Sequence, residues 1–104
     1  MNDPFALAVT RLNEGRLDES EAIARSLLER NPETAVLWNF LGVVLFRKGD
    51  FERAVETLCR AVELDPDEAD FLDDLGAAHG AKGEYKRAHH YLARMEPDAD
   101  VRRH

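Results

Sequence analysis

Apolar residues recur at helical spacing through residues 35–67, and this stretch sets the pattern for the chain. Two sets predict two helices: Trp38, Leu41, Gly42 and Leu45, then Ala54, Leu58, Ala61 and Val62. Lys48-Gly49-Asp50 predicts a turn between them, because glycine adopts the left-handed conformation that ends a helix and aspartate caps the next one. Pro66 closes the unit.

The same residue types return when the sequence is shifted by 34 residues. The matched sets are Gly15, Gly49 and Gly83; Leu7, Leu41 and Leu75; Ala8, Gly42 and Gly76; Leu17, Phe51 and Tyr85; Ser20, Ala54 and Ala88; and Pro32 with Pro66. The pattern Trp-x2-Leu-Gly-x2-Leu, Ala-x3-Leu, Pro resembles the tetratricopeptide repeat (TPR). This resemblance implies an all-α fold, an α-solenoid of three helix-turn-helix repeats, six helices in all, stacked as a right-handed superhelix.

The period divides the chain into a single domain, residues 1–97, with repeats at about 1–34, 35–68 and 69–97 and a short tail at 98–104. Asp3-Pro4 predicts the first helix start, Lys82-Gly83-Glu84 predicts a third turn, and Pro97 ends the last helix near Met95. No clear C-terminal capping helix follows. Repeat arrays normally finish with a polar outer face, so Tyr91, Leu92 and Met95 are candidate self-association residues. The alternative is that the uncapped end is tolerated.

The composition excludes several function classes. A net charge of −7 disfavours binding to nucleic acid or anionic membranes. Neither a signal peptide nor a membrane span is predicted, and the one cysteine, Cys59, suits a reducing compartment, so a cytoplasmic location is expected. Seven acids and no Lys or Arg lie between residues 61 and 81, either as helix-capping groups or as an acidic patch for a basic partner.

The resemblance implies that the first helix of each repeat lines a concave surface. The residues predicted to form this partner-binding groove are Phe5, Val9, Val36, Asn39, Phe40, Val43, Phe46, Asp70, Asp73 and Asp74. The middle first helix is apolar most of the way round, which favours a hydrophobic ligand, although Phe40 would alternatively pack between helices. Chaperone-binding TPR domains that grip a terminal carboxylate have Lys, Asn and Arg where this chain has Phe5, Val9, Phe40, Asp70 and Asp74, so that type of ligand is excluded.

Catalytic and metal chemistry lacks the required residue patterns. His79, His89 and His90 are without the spaced Cys, His or acidic ligands of known metal motifs, and Cys59 has no His and acid at catalytic spacing. No cofactor, no metal and no enzymatic activity are predicted.

The predicted function is therefore a protein-protein interaction scaffold that binds a peptide or amphipathic helix with apolar anchors and basic residues. Two alternatives stay open: a self-assembling structural protein forming homo-oligomers, and a small chaperone of the bacterial secretion type.

Overall fold

The computed structural model describes residues 3–95, with side chains described for residues 3–87 and for residue 90. These residues form five α-helices: α1 Pro4–Asn13, α2 Leu17–Arg30, α3 Ala35–Arg47, α4 Phe51–Leu64 and α5 Ala69–Met95. No strand occurs within residues 3–95. Helices α1 and α2 form one antiparallel hairpin and α3 and α4 a second, so the predicted first and second repeats are confirmed as helical pairs.

The turns of both hairpins follow from the predicted glycines. Gly15 has φ +79° and Gly49 has φ +84°, a conformation that side chains with a Cβ rarely adopt. Asp50 then caps α4, because its carboxylate accepts a hydrogen bond from the Arg53 backbone N–H at 3.3 Å. Asp3 caps α1 in the same way, accepting from the Phe5 N–H at 3.0 Å. The local signals for helix ends therefore act as expected in these two repeats.

The core runs between the hairpins and combines predicted repeat positions with other apolar residues, whereas the matched position Leu7 is 42% exposed. Its buried members include Ala8, Leu12, Ala24, Leu28, Leu41, Val44, Leu45, Ala54 and Leu58. Ser20, the polar residue among the matched small positions, is fully buried and donates its hydroxyl to the Ala8 carbonyl at 2.8 Å. This hydrogen bond offsets the cost of burying the hydroxyl in the α1–α2 contact.

Helices α3 and α4 approach each other closely at Gly42, in the second hairpin. An ideal Cβ built on Gly42 would lie 2.5 Å from both Cγ and Cδ2 of Leu58, well inside the normal separation of carbon atoms. Leu58 is itself only 1% exposed. Glycine at this position therefore allows α3 and α4 to pack with Leu58 directly against the α3 backbone.

The third repeat differs from the prediction, because the structure has one helix of 27 residues where two were expected. The six-helix count was wrong, and so was the turn at Lys82-Gly83-Glu84, which lies inside α5. Closing a third hairpin would bury less apolar surface than in the second repeat, since Leu72 and His79 replace Trp38 and Leu45. Glu84 also replaces the capping Asp50, and glutamate is not a preferred N-cap.

Candidate functional site

The predicted groove begins between α1 and α3, where two of its aromatic residues pack on each other. The rings of Phe5 and Phe40 meet edge to face with centroids 5.2 Å apart. Phe40 is 8% exposed and belongs to the core, whereas Phe5 and Val9 are half-buried. Of the two alternatives for Phe40, the structure therefore supports packing between helices. Phe40 forms the floor of this surface and does not face a ligand.

The other apolar groove residues are distributed along α3. Val36 is 51% exposed near its start, and Val43 and Phe46 are half-buried toward its end. The Phe46 ring contacts Phe51 at the beginning of α4, with centroids 5.5 Å apart, and Phe51 in turn contacts Tyr85 of α5 at 6.1 Å. Phe46 thus has two roles, since part of its ring packs on Phe51 and part lines the groove.

A polar contact joins α3 to α5 across this surface. The Asn39 side-chain amide donates a hydrogen bond to a carboxylate oxygen of Asp74 at 3.1 Å, and both residues are partly buried. Asp70 and Asp73 lie nearby on α5 and are exposed. The structure therefore brings together Asn39 and Asp74, which are 35 positions apart in the sequence, and leaves two further carboxylates beside them in solvent.

A cavity of 190 Å³ opens between these two helices. Its lining residues are Val43, Phe46, Arg47, Leu58, Asp74 and Ala77. An engineered protein cavity of about 150 Å³ holds benzene, so this one has room for a single leucine-sized or aromatic side chain. Sequence reasoning did not select Arg47 and Leu58. Leu58 reaches the cavity because Gly42 lets it approach the α3 backbone, and the small residue at Gly42 was the available signal.

A second opening of 380 Å³ lies at the start of the array, outside the predicted groove. It is lined by Pro4, Ala22, Ile23, Ser26, Leu27 and Arg30. The 34-residue register places Pro4 where the second repeat has Trp38. The Trp38 indole N–H donates to the Pro32 carbonyl at 2.8 Å, and the Arg60 guanidinium lies 5.9 Å from the centre of the Trp38 ring. The opening therefore corresponds to a missing indole ring, and sequence reasoning did not identify it.

Charged side chains also link the first and second repeats. Lys48 lies 2.7 Å from the Asp18 carboxylate and 2.6 Å from that of Glu21, and Arg25 lies 2.8 Å from Glu21. The hydrogen bond from Lys48 lowers the pKa of Glu21, an effect that burial partly opposes. The hydrogen bond to Asp18, followed by that to Glu21, raises the pKa of Lys48. This cluster holds the two hairpins in register and is not part of the groove.

Histidine and cysteine are not arranged as a site in the part of the chain that the structure describes. No group of three or more His, Cys, Asp or Glu side chains there could hold a metal ion. His79 and His89 were expected on two facing helices, but they lie on the single helix α5, about 15 Å apart along its axis. Cys59 is half-buried in α4. The predicted self-association residues Tyr91, Leu92 and Met95 and the tail at 98–104 lie outside the described side chains.

The sequence and the fold were compared with known proteins. A family model described as tetratricopeptide repeat matches residues 5–69. The chain is 33% identical over 90 residues to peroxisome biogenesis protein 5 of Arabidopsis thaliana, covering 86% of this chain and 12% of that protein. It is 32% identical over 89 residues to a BBSome complex member BBS4 homolog of Drosophila melanogaster, covering 84% and 18%.

The chain thus spans less than a fifth of the length of these relatives. Among solved structures, residues 41 to the end of MamA from Desulfovibrio magneticus RS-1 align with a TM-score of 0.74 at 21% identity, over 93% of this chain and 55% of that one. This likeness confirms the all-α TPR-type fold. Within the described residues, no helix combines the length and apolar character needed to cross a membrane.

Proposed function

Because this chain belongs to the tetratricopeptide repeat family, we propose that it is a non-enzymatic scaffold that binds a segment of a partner protein in the groove between α3 and α5. The segment has an apolar anchor, which enters the cavity beside Val43 and Phe46, and a Lys or Arg, which lies against the carboxylates of α5. The family and fold support protein binding in general, and the residues around the cavity suggest this more specific ligand.

The cavity is the observation on which the proposal depends. Its walls include Val43, Phe46, Leu58 and Ala77, and its two charged lining residues are Arg47 and Asp74, of which Asp74 accepts a hydrogen bond from Asn39 of α3. A pocket that is apolar inside and has a fixed polar group at its edge is the usual form of a peptide anchor site. Asp70 and Asp73 extend the negative charge beyond the rim, so a basic residue next to the anchor is favoured.

The relatives support the same class of function. One is, by its name, a member of a complex, the BBSome, and covers 84% of this chain. Proteins built into complexes through helical repeats use these surfaces to contact other chains. For this chain the partner is expected to be a protein, bound through a short segment that fills the cavity.

The proposal is tested with two fluorescent peptides that share a central Phe anchor and differ in flanking charge, one with Lys and one with Glu. Fluorescence anisotropy should show tighter binding of the Lys peptide to the wild type. Ala77→Leu fills the cavity from an exposed position and should abolish binding of both peptides without loss of helicity by circular dichroism. Unchanged binding by a folded Ala77→Leu protein would reject this groove.

A matched pair of variants tests the contribution of charge. Asp74→Asn removes one charge but keeps an oxygen to accept from Asn39, so it should weaken the Lys peptide about two- to fivefold, the range of an exposed ion pair. Asp67→Asn removes the same charge from the exposed loop before α5 and should leave affinity nearly unchanged. Equal losses in the two variants would indicate a general effect of net charge and contradict a specific contact at Asp74.

A further inference from the structure

The third repeat has an open face that the second repeat covers with its own second helix. Gly42 of α3 has Leu58 of α4 directly above it, whereas an ideal Cβ built on Gly76, the register equivalent, meets nothing within 4 Å. Leu72, which takes the place of Trp38, is 47% exposed. His79 and Gly76 are exposed as well, and Leu75 is half-buried. The face of α5 that corresponds to the α4-covered face of α3 is therefore uncovered.

The 34-residue register assigns residues after Gly83 to the helix that would cover this face. In the structure those residues continue α5 and lie beyond the face. Within the described residues, Gly15 and Gly49 have positive φ at the turns of the first two repeats, while Gly83 lies inside a continuous helix. Lys82 lies 3.5 Å from Glu52 in the first turn of α4, and Lys86 lies 4.0 Å from it. Residues 87–95 therefore extend about 14 Å past the start of α4.

Most helical stability in proteins comes from packing of an apolar face, and this segment lies past the helix on which the rest of α5 packs. Its sequence repeats the spacing of α4: Ala88 corresponds to Ala54 and Leu92 to Leu58. The C-terminal part of α5 thus has apolar residues at the positions through which α4 packs on α3. Because α5 is one continuous helix, these residues do not reach the open face of their own copy.

We infer that two copies of this chain exchange these segments. Residues 87–95 of each copy, the arm, pack on the open face of the other copy, formed by Leu72, Leu75, Gly76 and His79. Each copy supplies one arm and receives one, which gives a closed two-fold dimer. A second copy fits better than the copy's own arm, because the continuous helix holds that arm beyond the first turn of α4. This inference is independent of the groove proposed above.

Charge supports the same pairing. The arm has two basic residues, Arg87 and Arg94, and no acid. Residues 65–74, which precede the open face and form its first turns, have six acids and no Lys or Arg. Opposite charge favours the encounter of two copies, and the register that pairs Leu92 with Gly76 brings Arg94 alongside residues 73–74. The association is therefore expected to weaken as salt concentration rises.

The test uses cysteine pairs in a Cys59→Ser background. Chains with Gly76→Cys and chains with Leu92→Cys are mixed while dilute, concentrated and oxidised. The equivalent pair in the second hairpin is close enough for a disulfide, since the Cβ built on Gly42 lies 2.5 Å from Leu58 Cγ, which is one bond from the Leu58 Cβ. The expected result is a disulfide-linked heterodimer from the mixture, and light scattering of the unmodified chain should give twice 11.8 kDa.

The matched control replaces Gly76→Cys with Ala77→Cys, which is rotated about 100° around the helix and should not link. Equal linking by this control would mean random collision and would overturn the exchange. A chain with both Gly76→Cys and Leu92→Cys should give linked dimers. If the double variant forms only a disulfide within one chain, the arm folds onto its own repeat. If the double variant forms no disulfide and the wild type is a monomer, the open face is uncovered. Either result rejects the inference.

Discussion

The contact between Gly42 and Leu58 offers the sharpest test of how the second repeat is packed. In Gly42→Ala the added methyl would lie 2.5 Å from two carbons of Leu58 and 3.4 Å from its backbone nitrogen. Leu58 is 1% exposed and lies against the α3 backbone, so its side chain can turn away only into the cavity beside Val43 and Phe46, at the cost of its present packing. Either α3 and α4 must separate or Leu58 must leave its preferred rotamer, and both changes lower the stability of the fold.

The size of the effect is a balance of two terms. Extra atoms in a well-packed core cost about 1–3 kcal/mol. Alanine in place of glycine inside a helix returns about 1 kcal/mol. The clash is expected to exceed this gain, since the overlap involves both Cγ and Cδ2 of a buried side chain and not only the tip of a flexible one. The variant should thus be destabilised by up to about 2 kcal/mol, and each kcal/mol lowers Tm by about 4–8 °C for a domain of this size.

Urea and thermal unfolding followed by circular dichroism would measure this change. Gly80→Ala is the control, because Gly80 also lies in a helix but has nothing within 4 Å of an added Cβ, so this variant should gain about 1 kcal/mol. Adding Leu58→Val to Gly42→Ala should recover part of the loss. If Gly42→Ala stabilises the protein as much as Gly80→Ala does, the close approach of α3 and α4 is wrong.

Three further predictions test other contacts. Stability should fall as pH is lowered through the depressed pKa of Glu21, since this group stabilises the fold only while ionised. The difference in urea midpoint between wild type and Glu21→Gln should therefore shrink in acid. A constant difference would contradict the Lys48 contact. Gly76→Ala should reduce the dimer fraction in light scattering, because its methyl would meet the second copy's arm, and an unchanged fraction would argue against exchange. Trp38→Phe should lose about 1 kcal/mol with its hydrogen bond to Pro32, and equal stability by urea unfolding would contradict that bond.

The first two repeats were predictable because their signals are local and agree with one another. Gly49 ends one helix, Asp50 caps the next, and Leu41 and Leu58 lie on the faces that the helical period assigns to them. The third repeat has the same glycine and a similar apolar period, yet it forms one helix. A turn forms there only if the resulting hairpin buries enough apolar surface. Matching residue types at a 34-residue spacing does not measure the area that would be buried.

The groove was predictable only in part for a related reason. Helical spacing selects a face, and it placed Val43, Phe46 and Asp74 on the same surface, where the structure shows a cavity. It does not determine how deeply each side chain is buried, so Phe40 was included although it packs beneath Phe5. The bond between Asn39 and Asp74 depends on the offset between two helices, which is set by the packing of α4 between them.

The groove and the open face lie on the same helix, which connects the two proposals physically. Asp70, Asp74 and Ala77 of α5 face the groove, and Leu72 and Gly76 belong to the open face, so one ligand surface does not block the other. An exchanged dimer would hold two grooves in one rigid particle. A partner with two binding segments would then bind the second one at a high effective concentration, and its affinity would exceed that for a monomer without any new contact. Arm exchange would thereby strengthen a binding site that, with a cavity for one side chain, is expected to be weak on its own.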